Sequence, residues 1–240
     1  QNGCDIIKTN AKTLADFVKK VSINGAIPEG ILKFGPEGLT LTVKDISNCG
    51  AVTGLLRKNV FLDYTPMNVP IGNIPRLLAV LNTMSGNVEL SIKENAFLIN
   101  SDDNDAKIIM VDEKYIKCDL ETLPTLAHDG GFELDSNVFT TIKKNTATLR
   151  SEKTGVIAEV KNNIFYVRTG EKESDELTTK TKVDYKDVRT KYGITFLEFI
   201  SVITGKVMVA FNEDYPILIT STEPDSTIKW MVSPLVTEET

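Results

Sequence analysis

Two segments of the chain repeat their apolar residues with the period of a helix. In TNAKTLADFVKKVS, Leu14, Phe17, Val18 and Val21 recur at i, i+3, i+4 and i+7. This predicts an amphipathic helix over 9–21, with Thr9 or Asn10 as its cap. YGITFLEFISVITGK repeats the spacing with Phe196, Phe199, Ile200 and Ile203, predicting a helix over 194–204 that ends at Gly205. Weaker helical patterns lie over 73–83, where Pro75 suits a first turn, and over 136–150. Most of the rest alternates apolar with polar, or runs in short β-branched blocks, and predicts strands: ILKFGPEGLTLTV, GNVELSIKENAFLINS, AKIIMVDEKYI, VIAEVKNNIFYVRT, LTTKTKVDY and KVMVAFNEDYPILITS.

The order of these elements repeats. Each helix precedes a hairpin, and the four hairpin turns are GPEG (35–38), KENA (93–96), KNN (161–163) and NEDYP (212–216). At residue level, VELSIKENAFLINS (88–101) lies over VMVAFNEDYPILITS (207–221) with one insertion. The chain therefore reads as two copies of one α+β unit, helix–strands–helix–strands. The seam falls in CDLETLPTLAHDGG (118–131), which has no clear period and reads as a linker. The expected organisation is a first domain over 1–117, a connector over 118–131 and a second domain over 132–240.

Charge changes this picture more than composition does. The formal net charge is −6. The four predicted helices carry Lys12, Lys19, Lys20, Arg76, Lys143, Lys144 and Arg150 against Asp16 and Glu198. They sum to +5, and the remainder to −11. Four helices on one face would make that face positive on an acidic molecule, able to attract phosphates without reading bases. Lys and Arg are also good helix formers on solvated faces, so the pattern has a plain structural alternative. The helix faces lack the aromatic residues that stack single-stranded bases.

Other chemistry is missing. His128 is the only histidine, with no second ligand at metal spacing, and no nucleotide or nucleophile motif occurs. SDDNDA (101–106) lacks the glycine and distal glutamate of a calcium loop, and EKESDE (171–176) reads as a loop tip. Cys4, Cys49 and Cys118 are far apart, which fits a reducing intracellular setting better than a disulfide framework. No apolar run reaches the roughly 18 residues of a membrane helix. The expectation is a protein with no metal, no cofactor and no catalytic constellation.

Three stretches resemble the DNA sliding clamps of the proliferating cell nuclear antigen family. GLTLTVKDISNCGAVTGLL (38–56) is similar to a family strand, D-x-S turn and strand. NVPIGNIPRLLAVLNTMSGNVELSI (68–92) resembles the family's strand, L-x-x-L-x-x-x-L helix and strand. The segment from Tyr192 to Glu239 resembles the last helix, a proline-bearing hairpin and the L-x-P-x-x-x-E/D-E ending. The resemblance implies duplicated clamp domains, three chains closed into a ring around double-stranded DNA, and no chemistry. It implies helices lining the hole and an acidic outer wall of sheets.

Carried onto this sequence, the DNA-facing residues would be the seven basic helix residues above. The fourth helix departs from the pattern, offering Glu198, with only Lys191 and Lys206 flanking it. The family binds peptides of DNA polymerase and other replication proteins in an apolar pocket. Its walls would here be Cys49, Ala51, Leu123, Leu126, Pro216, Met231, Ser233 and Pro234. Trp230 and Met231, adjacent on a strand, should face opposite sides. Pro234 should stop that strand, with Leu235 and Val236 running beside a partner. Subunit contacts would be edge strands bearing Ile108, Met110, Thr179 and Lys182, and a clamp loader would open the ring. The alternatives are a non-ring viral processivity factor, a checkpoint-clamp subunit, and an enzyme with an unrecognised carboxylate pair.

Overall fold

The structure is a computed structural model that describes residues 6–170 and 175–235. Cys4, the EKES tip of the 171–176 segment and Val236 onward lie outside the described residues. No described helix is long and apolar enough to cross a membrane.

The chain divides into two compact units, one of residues up to Leu123 together with Thr222–Ile228, the other of Pro124–Ser221 and the residues from Lys229. The first unit runs β1 (Ile6–Asn10), α1 (Ala11–Val21), β2 (Gly30–Gly35), β3 (Gly38–Lys44), β4 (Gly50–Arg57), β5 (Met67–Ile71), α2 (Ile74–Leu81), β6 (Asn87–Lys93), β7 (Ala96–Asn100) and β8 (Asp105–Ile109). The second runs β9 (Phe132–Asp135), α3 (Asn137–Leu149), β10 (Val156–Lys161), β11 (Ile164–Gly170), β12 (Glu176–Lys182), β13 (Val188–Tyr192), α4 (Ile194–Ile200), β14 (Lys206–Ala210) and β15 (Ile217–Thr222). The last strand, β16 (Ser226–Val232), gives residues to both.

Strand pairing shows the duplication. In the first unit, antiparallel ladders run β5-β2-β3-β4 and β1-β6-β7-β8. In the second they run β13-β10-β11-β12 and β9-β14-β15. Element by element the two orders coincide, giving a mixed α+β architecture of two like units.

Local chemistry sets the helices. Asn10, not Thr9, caps α1 by accepting from the Thr13 N–H at 3.1 Å. Asn73 does the same for Arg76 at 3.0 Å, with Pro75 in the first turn of α2. At α3 the carboxylate of Asp135 accepts from the Asn137 N–H at 2.9 Å, and Arg150 closes the helix in the left-handed region with φ 53°. Helix α4 is shorter than its periodicity predicts. It ends at Ile200, and i→i+3 bonds carry Val202 and Ile203 back into the core before the turn at Gly205.

Each unit has its own apolar core. In the first, α1 lies so close to β4 that a Cβ on Gly54 would meet Val21 and Phe17 at 2.5–2.9 Å. In the second, α3 packs on β11 and β12, and Phe132, Phe165, Tyr185 and Phe211 form one aromatic cluster with centroids 5.1–6.3 Å apart. Trp230 and Met231 are both buried, so their strand is covered on either side at that point.

Candidate functional site

The basic helix residues sort by their position on each helix. In α1, Leu14, Phe17, Val18 and Val21 take the core side, which turns Lys12, Asp16, Lys19 and Lys20 outward at i, i+4, i+7 and i+8. Lys12 and Lys19 are exposed and Lys20 is half-buried, so the three lysines form one stripe with Asp16 among them. Adjacent Lys19 and Lys20 diverge by about 100° around the axis, yet both fall within that outward arc. Arg76 is exposed on α2.

On α3, Phe139, Ile142 and Thr146 are buried, Lys144 and Arg150 are exposed, and Lys143 is half-buried. The outward surface of α3 is therefore mostly threonine and alanine around Lys144. Helix α4 is buried except for Ile194 and Glu198. Its flanking lysines point to other tasks: Lys206 pairs with Glu133 at 3.7 Å, and Lys191 sits on β13.

Two regions bear on the partner-peptide residues. In the first unit, Cys49 is exposed and Ala51 buried at the turn before β4. That turn is tied by Asp45, which accepts from the Gly50 N–H at 2.7 Å and from the Ser47 hydroxyl. The start of the 118–131 stretch is bound to the same unit. Glu29 accepts from the N–H groups of Lys117 and Cys118, Lys33 pairs with Asp119 at 2.9 Å, and Cys118 and Leu120 bond to β3. Burial, with Glu29 beside it, pushes the Cys118 thiol up to about 11. Leu123 is half-buried.

In the second unit the end of that stretch is pinned to the β14–β15 turn. The Ala127 N–H donates to the Tyr215 hydroxyl at 3.1 Å, Asn212 donates to the Ala127 carbonyl at 3.4 Å, and the His128 and Tyr215 rings meet edge to face. This brings the segment of Leu126 against the turn that holds Pro216, both half-buried. Desolvation holds His128 below the ordinary imidazole range. Strand β16 ends at Val232, before half-buried Ser233 and Pro234. Beyond Pro234, Leu235 is seated on its own unit: its N–H donates to the Lys191 carbonyl at 2.8 Å.

Two of the strands that end a ladder carry the expected subunit-contact residues. β8 bonds only to β7, and β12 only to β11. At β8, Ile108 and Met110 are half-buried, and the exposed apolar side chains are their neighbours Ile109 and Val111. At β12, Thr179 turns inward, where its hydroxyl accepts from Asn145 of α3 at 3.1 Å, while Lys182 is exposed. Among the described residues there is no group of three or more metal-ligating side chains.

A duplicated unit of two helices and two antiparallel ladders over the length of the chain is the fold of the DNA sliding clamps. Solved structures of the proliferating cell nuclear antigen, PCNA, share it. PCNA of A. fulgidus, solved with the C-terminal region of FEN-1, superposes with a TM-score of 0.81 at 15% identity, covering 98% of this chain and 100% of that one. Entamoeba histolytica PCNA gives 0.79 at 18%, covering 97% and 100%. A chain of the Sulfolobus tokodaii PCNA2–PCNA3 complex gives 0.72 at 14%, covering 95% and 98%. No protein-family model and no curated protein sequence matches the chain.

Proposed function

We propose that this chain is a DNA sliding clamp, a non-enzymatic processivity factor that encircles duplex DNA and tethers DNA polymerase and other replication and repair proteins. The observation that carries this reading is a whole-length clamp fold whose helices turn Lys12, Lys19, Lys20, Arg76 and Lys144 to solvent. Residues 1–117 and 132–240 would be the clamp domains and 118–131 their connector. Three copies would close edge to edge through β8 and β12, which removes two exposed strand edges that would otherwise invite aggregation. Pairing through β12 would use its backbone and Lys182, since Thr179 is engaged with α3.

Duplex DNA would then be held by topology, so weak exchangeable phosphate contacts suffice and the clamp can slide. Lys143 beside Lys144, and Arg150 at the C-terminal end of α3, would add charge. Partner peptides would insert an apolar anchor beside Leu126, Pro216, Met231, Ser233 and Pro234 of the second unit. A buried anchor of this kind contributes about 2 kcal/mol or more. The A. fulgidus clamp was solved with such a segment, from FEN-1, which supports a peptide-binding role here. A clamp loader would open the ring.

Retention on closed circular DNA tests encirclement. Protein loaded on a nicked plasmid should stay bound through a high-salt wash and be released when a restriction enzyme linearises the circle. Equal retention on circular and linear DNA would overturn the reading.

A further inference from the structure

The resemblance to clamps implies an acidic outer wall, yet one sheet face of the second unit is basic. In the ladder β12-β11-β10-β13, Phe165, Val167, Thr169, Val156, Ala158, Val160 and Thr179 take the side of α3. Alternation then fixes the opposite face. Register gives it rows: Lys180–Tyr166–Glu159–Arg189, Thr178–Arg168–Ile157–Lys191 and Lys182–Ile164–Lys161. Its acidic residues, Glu159 and Glu176, are both drawn to Arg168, at 3.0 and 4.0 Å. Lys161, Lys180, Lys182, Arg189 and Lys191 make no ion pair among the described residues.

The arrangement has a pattern. Lys180 and Lys182 form one basic rail on β12, and Arg189 and Lys191 another on β13, about 14 Å away by strand spacing. Between them lie Tyr166, Ile157 and Ile164, with the Arg168 guanidinium 5.8 Å from the Tyr166 ring centroid. A concavity of about 810 Å³ opens at the end of this face, where Lys153 adds a further positive charge beside Arg168, Arg189 and Lys191.

We infer that this sheet face binds single-stranded nucleic acid. An aromatic ring with a guanidinium against it is a stacking platform that accepts any base. The flanking rails would track the phosphates, at i, i+2 spacings of about 7 Å along each strand. Duplex DNA keeps its bases paired and leaves the platform unused. The helices carry no such aromatic, so the two surfaces divide the work: helices for duplex, sheet face for an unpaired strand. On a clamp, that strand would be one leaving a primer–template junction. The sheet-face assignment itself stands without the ring.

Fluorescence anisotropy with a labelled 20-nucleotide oligo(dT) and the full chain tests this. Binding should weaken steeply between 50 and 200 mM salt. The pair Lys180→Gln and Arg189→Gln, with unchanged thermal unfolding, should weaken it tenfold or more, and Tyr166→Leu at least fivefold. The helix pair Lys12→Glu and Lys144→Glu should leave it within twofold while weakening duplex binding. No binding at 50 mM salt, or loss only in the helix variant, would overturn the inference. So would a poly-glutamate peptide binding as tightly as oligo(dT), which would assign the face to an acidic protein segment.

Discussion

At the scale of single residues, burial decides which groups can react. Cys49 is exposed, whereas Cys118 is buried with Glu29 beside it and its thiol pushed up to about 11. The thiolate is the nucleophile, so at pH 8 iodoacetamide should label Cys49 and spare Cys118, read by peptide mass mapping. Equal labelling would mean that Cys118 is not held as described. Trp230 is the only tryptophan and is buried in the core. Trp230→Ala should cost about 3–5 kcal/mol in denaturant unfolding, since the core closes only partly over the cavity. His128 gives a pH dependence of defined sign. Its folded-state pKa is lowered, so the unfolded chain binds the proton first. Its contribution is present above about pH 6.5 and is lost as pH falls through the folded value. His128→Gln should flatten that acid slope, and an unchanged slope would contradict it.

At the scale of elements, what was legible in the sequence was local. The helices over 9–21 and 194–204 were read from i, i+3, i+4 spacing, those over 73–83 and 136–150 from weaker helical patterns, and the four hairpin turns from their Gly, Asn and Pro residues. Strands β1, β9 and β13 were not read. Each has only four or five residues of mixed character, and pairing far along the chain defines it: β13 exists because Arg189 and Lys191 meet Glu159 and Ile157. The early end of α4 was hidden too, because tighter turns keep Val202 and Ile203 buried after the α-helical bonds stop. The basic sheet face is the largest feature that escaped. Its lysines and arginines come from separate strands, each reading as ordinary solvent-side alternation, and only register gathers them.

The caps give an element-scale test. Asn10→Ala should cost about 1 kcal/mol, because the Thr13 N–H loses its acceptor. Thr9→Ala would leave that cap in place. Deleting 234–240 should abolish binding of partner peptides while leaving the oligomer intact. It also removes the Leu235 bond to Lys191, so a small loss of stability in the second unit should accompany it.

At the scale of the whole molecule, the duplication visible in 88–101 against 207–221 extends to every paired ladder, and the fold is that of the sliding clamps. The seven basic helix residues do not contribute alike. Lys12, Lys19, Arg76, Lys144 and Arg150 are exposed, Lys20 and Lys143 are half-buried, and α4 offers Glu198 alone. A clamp built this way would hold duplex DNA weakly, which suits retention by topology. Charge sorting between helices and the rest, clear in the sequence, is incomplete in space because the second unit keeps a basic sheet face of its own.

The central claim is a closed ring of three chains, and its solution mass tests that most directly. Multi-angle light scattering at micromolar concentration should give three times the 26.5 kDa chain, about 80 kDa, independent of dilution. A particle of 26.5 kDa across the concentration range would contradict it.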